Sequence, residues 1–174
     1  NTVMKRVLFL LGHLNDIDVE WLIAHGQTQE LQASDRLISK GEHIDSLFII
    51  LSGKLAIVDD HHLPIATIGN GEMVGEMSFL ESHPPSVSVV ASEPTTVFSI
   101  SRDLVSERLA SNVDFRANFY YAISLFLSNR LRKTTSQLGY GNPEEEDVIN
   151  DNVLDGVSQA GSRFTQILQK FSEV

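Results

Sequence analysis

Apolar residues at 3, 7, 8, 10, 11 and 14 recur near helical spacing, so Val3 to Leu14 is expected as a short helix. Asn15 then caps a second helix over Asp16 to His25, with Asp16 and Asp18 in its positive first turn and Gly26 to end it. Leu14 and Val19 are spaced as a hydrophobic staple across that start. From Leu31 the pattern shortens to β-prone runs: Arg36 to Ile38, Leu47 to Leu51, Leu55 to Val58, Ile65 to Ile68, Ser86 to Ala91 and Thr95 to Ile100. Turn-forming residues separate them, namely Gly41, Ser52-Gly53, Asp59 to His62 and Gly69-Asn70-Gly71. Strands at this even spacing, with no long helix between them, predict a roll, sandwich or barrel and not a parallel α/β sheet.

Helical spacing returns after Ile100, first over Ser101 or Arg102 to Ser111 and then over Asp114 to about Leu138. The longer helix carries an apolar stripe, Phe115, Phe119, Ile123, Phe126, Leu127 and Leu131, able to pack on the roll at its start and on a partner helix further along. Past Gly139 to Pro143 comes an acidic linker, Glu144 to Asp147. Val157, Gly161, Phe164, Leu168 and Phe171 then follow at alternating spacings of four and three, an amphipathic tail helix. The expected organisation is N-terminal helices over 1–30, a β-roll over 31–100 holding a distinctive segment at 71–91, C-terminal helices over 101–140, and the linker and tail over 141–174.

Composition narrows the function classes. The 174 residues include no cysteine, which excludes a disulfide framework, a thiol nucleophile and a thiolate metal site, and fits a cytoplasmic protein. The apolar run Val7 to Leu11 is too short for a signal core, and no run approaches the roughly 18 apolar residues of a membrane span. A formal charge of -10 opposes binding to nucleic acid or anionic lipid. The tail sets Arg163 and Lys170 against seven acids, so no DNA contact is expected there.

The chemistry concentrates at Gly71-Glu72-Met73-Val74-Gly75-Glu76-Met77-Ser78-Phe79-Leu80, where glycines crowd the entrance to what reads as one helical turn. That arrangement exposes backbone N–H groups to an anion beside a carboxylate able to accept from sugar hydroxyls. A purely structural reading also accounts for it, with Gly75 turning the chain and Glu76 capping a helix. An enzyme is not expected: His61-His62 puts adjacent side chains on opposite faces, unsuited to one metal, and there is no Ser-His-Asp grouping or phosphate-loop motif.

The order Lys40-Gly41-Glu42, Leu47 to Gly53, Gly71, Gly75 to Leu80 and Ser86 to Ala91 resembles the cyclic-nucleotide-binding domain family over roughly residues 5 to 138. The resemblance implies a mainly β fold with flanking α, an eight-stranded antiparallel β-roll (jelly-roll) with N-terminal helices and a long C-terminal helix. It also implies cAMP or cGMP as ligand, held by a phosphate-binding cassette. On that pattern Gly75 is the cassette glycine, Glu76 the ribose-binding glutamate, and Met77 and Ser78 the amide end of the cradle. The family's phosphate-pairing arginine belongs nine residues after the glutamate, where this chain has Pro85, followed by Ser86 where bacterial members often place a serine. No Lys or Arg stands between Lys54 and Arg102 to replace it. Losing one partner of a buried charge pair costs roughly 2 to 5 kcal/mol, and each 1.4 kcal/mol is about tenfold in affinity.

The end of the long helix resembles the bacterial Crp/Fnr subgroup, with Arg130 matching a nucleotide-contacting cation and Thr134 and Thr135 matching hydroxyls that meet a purine across a dimer. As a surface helix end, the same residues complement the dipole and cap. The winged helix-turn-helix that Crp/Fnr transcription factors append does not fit in 139–174. Two readings follow. In one the chain is a regulatory sensor with a degenerate cassette and weak or lost cyclic-nucleotide binding; in the other it is a scaffold whose helix 114–138 mediates homodimer or partner contacts.

Overall fold

The structure is a computed structural model that describes residues 12–137 and Gly139. Most of the expected first helix, the acidic linker and the tail helix lie outside the described residues. Elements follow in the order α1 (Asp16–His25), β1 (Gln27–Leu31), β2 (Arg36–Ile38), β3 (Ser46–Ser52), β4 (Leu55–Val58), β5 (Pro64–Ile68), β6 (Met73–Val74), α2 (Glu76–Glu81), β7 (Ser88–Ala91), β8 (Thr95–Ser101), α3 (Arg102–Ser111) and α4 (Val113–Gln137). The eight strands form two antiparallel four-stranded sheets, ordered β1-β8-β3-β6 and β2-β7-β4-β5.

The sheet containing β3 is the middle layer. Its strand Ser46–Ser52 is apolar almost throughout because both faces are covered, as period-2 alternation then requires. Phe48 and Ile50 point between the sheets with Leu55, Ile68, Val74, Val89 and Val97. Leu47 and Leu51 point the other way, joining Phe98 and Ile100 against helical residues such as Val19, Leu22, Phe115 and Phe119. β5 is the edge strand of the outer sheet, and its residues 64–67 are exposed on both faces.

Local chemistry accounts for the helix ends. The Asn15 side chain accepts from the Asp18 N–H at 2.9 Å, and Leu14 and Val19 are buried in one cluster, as the capping pattern predicts. Gly26 lets α1 turn directly into β1, since a Cβ there would overlap the Phe98 ring. The strand expected from Ser86 starts at Ser88 instead: Pro85's carbonyl is held by the Gly41 N–H at 2.9 Å, which ties that stretch to a loop. β1 also departs from the periodic reading, because Gln27 to Glu30 are polar and exposed and are strand only through their ladder to β8.

Of the α4 stripe, Phe115, Phe119, Ile123 and Phe126 are buried on the roll. Leu127 is half-buried against them, whereas Leu131, at 68% exposure, has passed the roll's edge.

Candidate ligand-binding site

The segment into α2 is clamped before it turns. The Gly71 N–H donates to the Ile50 carbonyl at 2.7 Å, the Ile50 N–H donates to the Glu72 carbonyl at 3.0 Å, and Val74 pairs with Phe48. Gly75 then adopts φ 92°, and a Cβ there would sit 3.2 Å from the Ser46 carbonyl oxygen, so both conformation and space call for glycine. One short helix follows and closes where the Ser82 N–H donates to the Ser78 carbonyl at 2.9 Å. Arg102 pins that end, donating to Ser82 Oγ at 2.9 Å with its guanidinium 5.9 Å from the Phe79 ring centroid.

This scaffold buries Glu76 to 2% exposure. Arg130 of α4 meets it: Nη1 donates to Glu76 Oε1, and Nη2 donates to the Met73 carbonyl at 2.9 Å. The guanidinium also lies 4.6 Å from the Phe126 ring centroid. Burial raises the Glu76 carboxyl above its ordinary value, because the desolvation of the charged form outweighs the attraction of Arg130. Nearby Glu72 pushes in the same direction.

A cavity of about 270 Å³ opens beside this pair, between the roll and α2. Gly75, Glu76, Met77, Ser78, Pro85, Ser86 and Arg130 all line it, so seven of the residues singled out from sequence converge on one space. Its remaining wall is mostly aliphatic. A second cavity of about 290 Å³ lies between β5 and α4, with Thr134 in its lining, and Arg130, Ile57 and Ile68 border both cavities. Thr135 lines neither, and its hydroxyl donates to the Leu131 carbonyl at 2.9 Å. The Thr134 hydroxyl is engaged likewise, with the Arg130 carbonyl at 3.0 Å.

Sequence reasoning did not foresee that Arg130 joins Glu76. It placed Arg130 toward a nucleotide, and the structure commits both guanidinium ends within the same chain. The two residues are 54 positions apart, and nothing in the local pattern of either signals the other. Asp18 was missed too: it reads as a first-turn dipole residue, yet it is buried and paired with Arg108. Among the described residues no group of His, Cys, Asp and Glu is arranged to hold a metal ion. Nor is any described helix long and apolar enough to cross a membrane.

The sequence pattern of the cyclic nucleotide-binding domain family matches residues 28–112. A cGMP-dependent protein kinase of Eimeria tenella is 35% identical over 83 residues, 48% of this chain and 8% of that protein. The CRP-like protein Clp of Xanthomonas campestris pv. campestris is 28% identical over 123 residues, 67% of this chain and 54% of its own length. The chain thus spans little more than half of the longer match and a small part of the other. In fold it superposes on the crystal structure of a cyclic nucleotide-binding domain from Methylobacillus flagellatus with TM-score 0.67 at 24% identity, covering 81% of this chain and 88% of that one. The two-sheet roll with its flanking helices thus matches the fold of a cyclic nucleotide-binding domain, and residues 28–112 carry the sequence pattern of that family.

Proposed function

We propose that the chain is a regulatory ligand-sensing module whose cassette has lost tight binding of cAMP and cGMP, and that it is not an enzyme. The observation that carries this is the state of the one arginine at the cavity: Pro85 stands in the cassette and Arg130 is already spent on Glu76 and Met73. A cyclic phosphate entering there meets the Glu81 carboxylate and a guanidinium whose charge is already paired with Glu76. Gly75, Glu76, Met77, Ser78, Pro85, Ser86 and Arg130 form the proposed site, with Thr134 at its far side. A ligand that displaces Arg130 from Glu76 releases α4 from the cassette, which is the route by which occupancy moves the helices over 101–138. The cysteine-free composition supports a reducing cytoplasm as the place of action.

Calorimetric titration of cAMP and cGMP into wild type, Glu76→Ala and Pro85→Arg tests this reading. Wild type is expected to give little or no heat below millimolar ligand, and Pro85→Arg to gain binding by supplying the missing cation. Micromolar binding by wild type, abolished in Glu76→Ala, would show the cassette to be intact.

A second proposal concerns assembly. Val113, Ala117, Tyr120, Ser124, Leu127 and Leu131 follow spacings of four and three along α4, and Val113 (70%), Tyr120 (42%) and Leu131 (68%) are exposed. That seam supports a homodimer through α4, with or without a ligand in the roll. Light scattering should give twice the chain mass, and a Leu131→Glu variant should give the monomer.

A further inference from the structure

The cavity beside Glu76 has a composition that specifies a kind of ligand. Ile38, Ile57, Ile68, Val74 and Val89 bring aliphatic surface from five different strands to its floor. Against this apolar floor stand Glu76 and Glu81, and one permanent cation, Arg130. Both ends of that cation are occupied, Nη1 by Glu76 and Nη2 by the Met73 carbonyl. Pro85 and Ser86 add no charge at the exit, and the exposed His83 stands at the rim.

We propose, resting on the ligand-sensing reading above, that this cavity takes an uncharged, largely apolar molecule of about two fused rings with a hydrogen-bond donor at one end. Size comes first. An apolar cavity of about 150 Å³ accommodates benzene, so the observed space of about 270 Å³ leaves room for a second ring. Burying that body against the isoleucines and valines supplies the main attraction. Charge then discriminates. An anion must leave water for a wall on which Arg130 is already paired with Glu76 and Glu81 adds a further negative charge, whereas a neutral hydroxyl or N–H can donate to a carboxylate oxygen. A cation loses its hydration against an aliphatic floor, and Glu76, the buried carboxylate, is already neutralised by Arg130.

Three probes of equal size separate these cases: 2-naphthylmethanol, 2-naphthoate and 2-naphthylmethylamine, titrated alongside cAMP into the whole chain labelled with ¹³C at the methionine methyls. Met77 lines the cavity and Met73 carries the carbonyl that holds Arg130, so both resonances report on the site. The alcohol is expected to shift Met77 saturably, with the carboxylate and the amine each about tenfold weaker or more. Val87→Trp, which fills the cavity from a half-buried wall position, should abolish the shift. Ser86→Trp does the same from an exposed position should the first variant fold poorly. Tighter binding of cAMP than of the alcohol overturns the proposal but keeps the chain a ligand sensor. Equal or tighter binding of naphthoate or of the amine overturns the neutral-ligand claim alone. No shift by any probe at millimolar concentration overturns both, leaving the scaffold reading.

Discussion

Asp18 and Glu76 are both almost fully buried, at 1% and 2% exposure, and each meets an arginine from a C-terminal helix. Their surroundings differ. Arg108 offers both Nε and Nη2 to Asp18 Oδ1, at 3.2 and 2.6 Å, while its guanidinium lies 4.9 Å from the Trp21 ring centroid and 5.3 Å from that of Phe115. Aromatic rings thus flank the pair, which ties α1 to α3. Arg130 is instead a wall between two cavities, and its side chain is 31% exposed against 16% for Arg108. The same chemistry therefore has two settings: aromatic rings flank the Arg108 pair, the proposed rivet, whereas cavities flank the Arg130 pair, where we propose that a ligand replaces one partner.

Removing the arginine tests that distinction most sharply at the Asp18 pair. Arg108→Ala leaves the Asp18 carboxylate buried with neither water nor cation within easy reach, so a loss of roughly 3 to 5 kcal/mol is expected in urea unfolding. Among the described residues no group donates to Asp18 Oδ2, so they hold no reserve to compensate. A loss under about 1 kcal/mol, within the range for exposed pairs, would show that the pair is not a rivet.

The corresponding change at the cavity should cost less. In Arg130→Ala, water in the enlarged space solvates Glu76, and the carboxyl can also take up a proton, so about 1 to 3 kcal/mol is expected. The variant should also loosen α4, seen as faster amide exchange from Phe126 to Thr134 while α1 and α3 remain protected. Equal losses for the two arginine variants would erase the comparison.

Much of the roll could be read from the chain because its strands announce themselves locally. Leu47 to Leu51 and Leu55 to Val58 are apolar runs bounded by turn residues, and Gly75 follows a short strand where only glycine fits. Gln27 to Leu31 gave no such sign: its polar residues are held as a strand by register with Thr95 to Ser99, a non-local cause. The site was legible to the same degree. Gly75, Glu76, Pro85 and Ser86 lie within one continuous segment, but both ion pairs join residues far apart, 90 positions for Arg108 with Asp18. Such pairs follow from the path of α3 and α4 across the molecule, which no window of sequence contains. Thr134 and Thr135 show the limit on a finer scale, since neighbours on a helix point in different directions and of the two Thr134 alone lines either of the cavities described above.

The smallest effect, and the most specific to Glu76, is in pH. Its native carboxyl is raised above the model-compound value of 4.5 by burial, so the folded chain holds this proton to higher pH than the unfolded chain does. Folded protein then binds more protons across the window above 4.5, and the stability from that uptake is complete below it and is lost as pH rises through the native value. Glu76→Gln cannot titrate, so the melting temperature of wild type minus that of the variant should fall as pH increases across the window. Placing the same comparison in an Arg130→Ala background should steepen and extend the fall, because the largest attraction that opposes burial has gone. A difference that rises with pH in the wild-type background would mean that Arg130 outweighs burial, making the cavity pair as firm a lock as Asp18 with Arg108 and a poor one for a ligand to open.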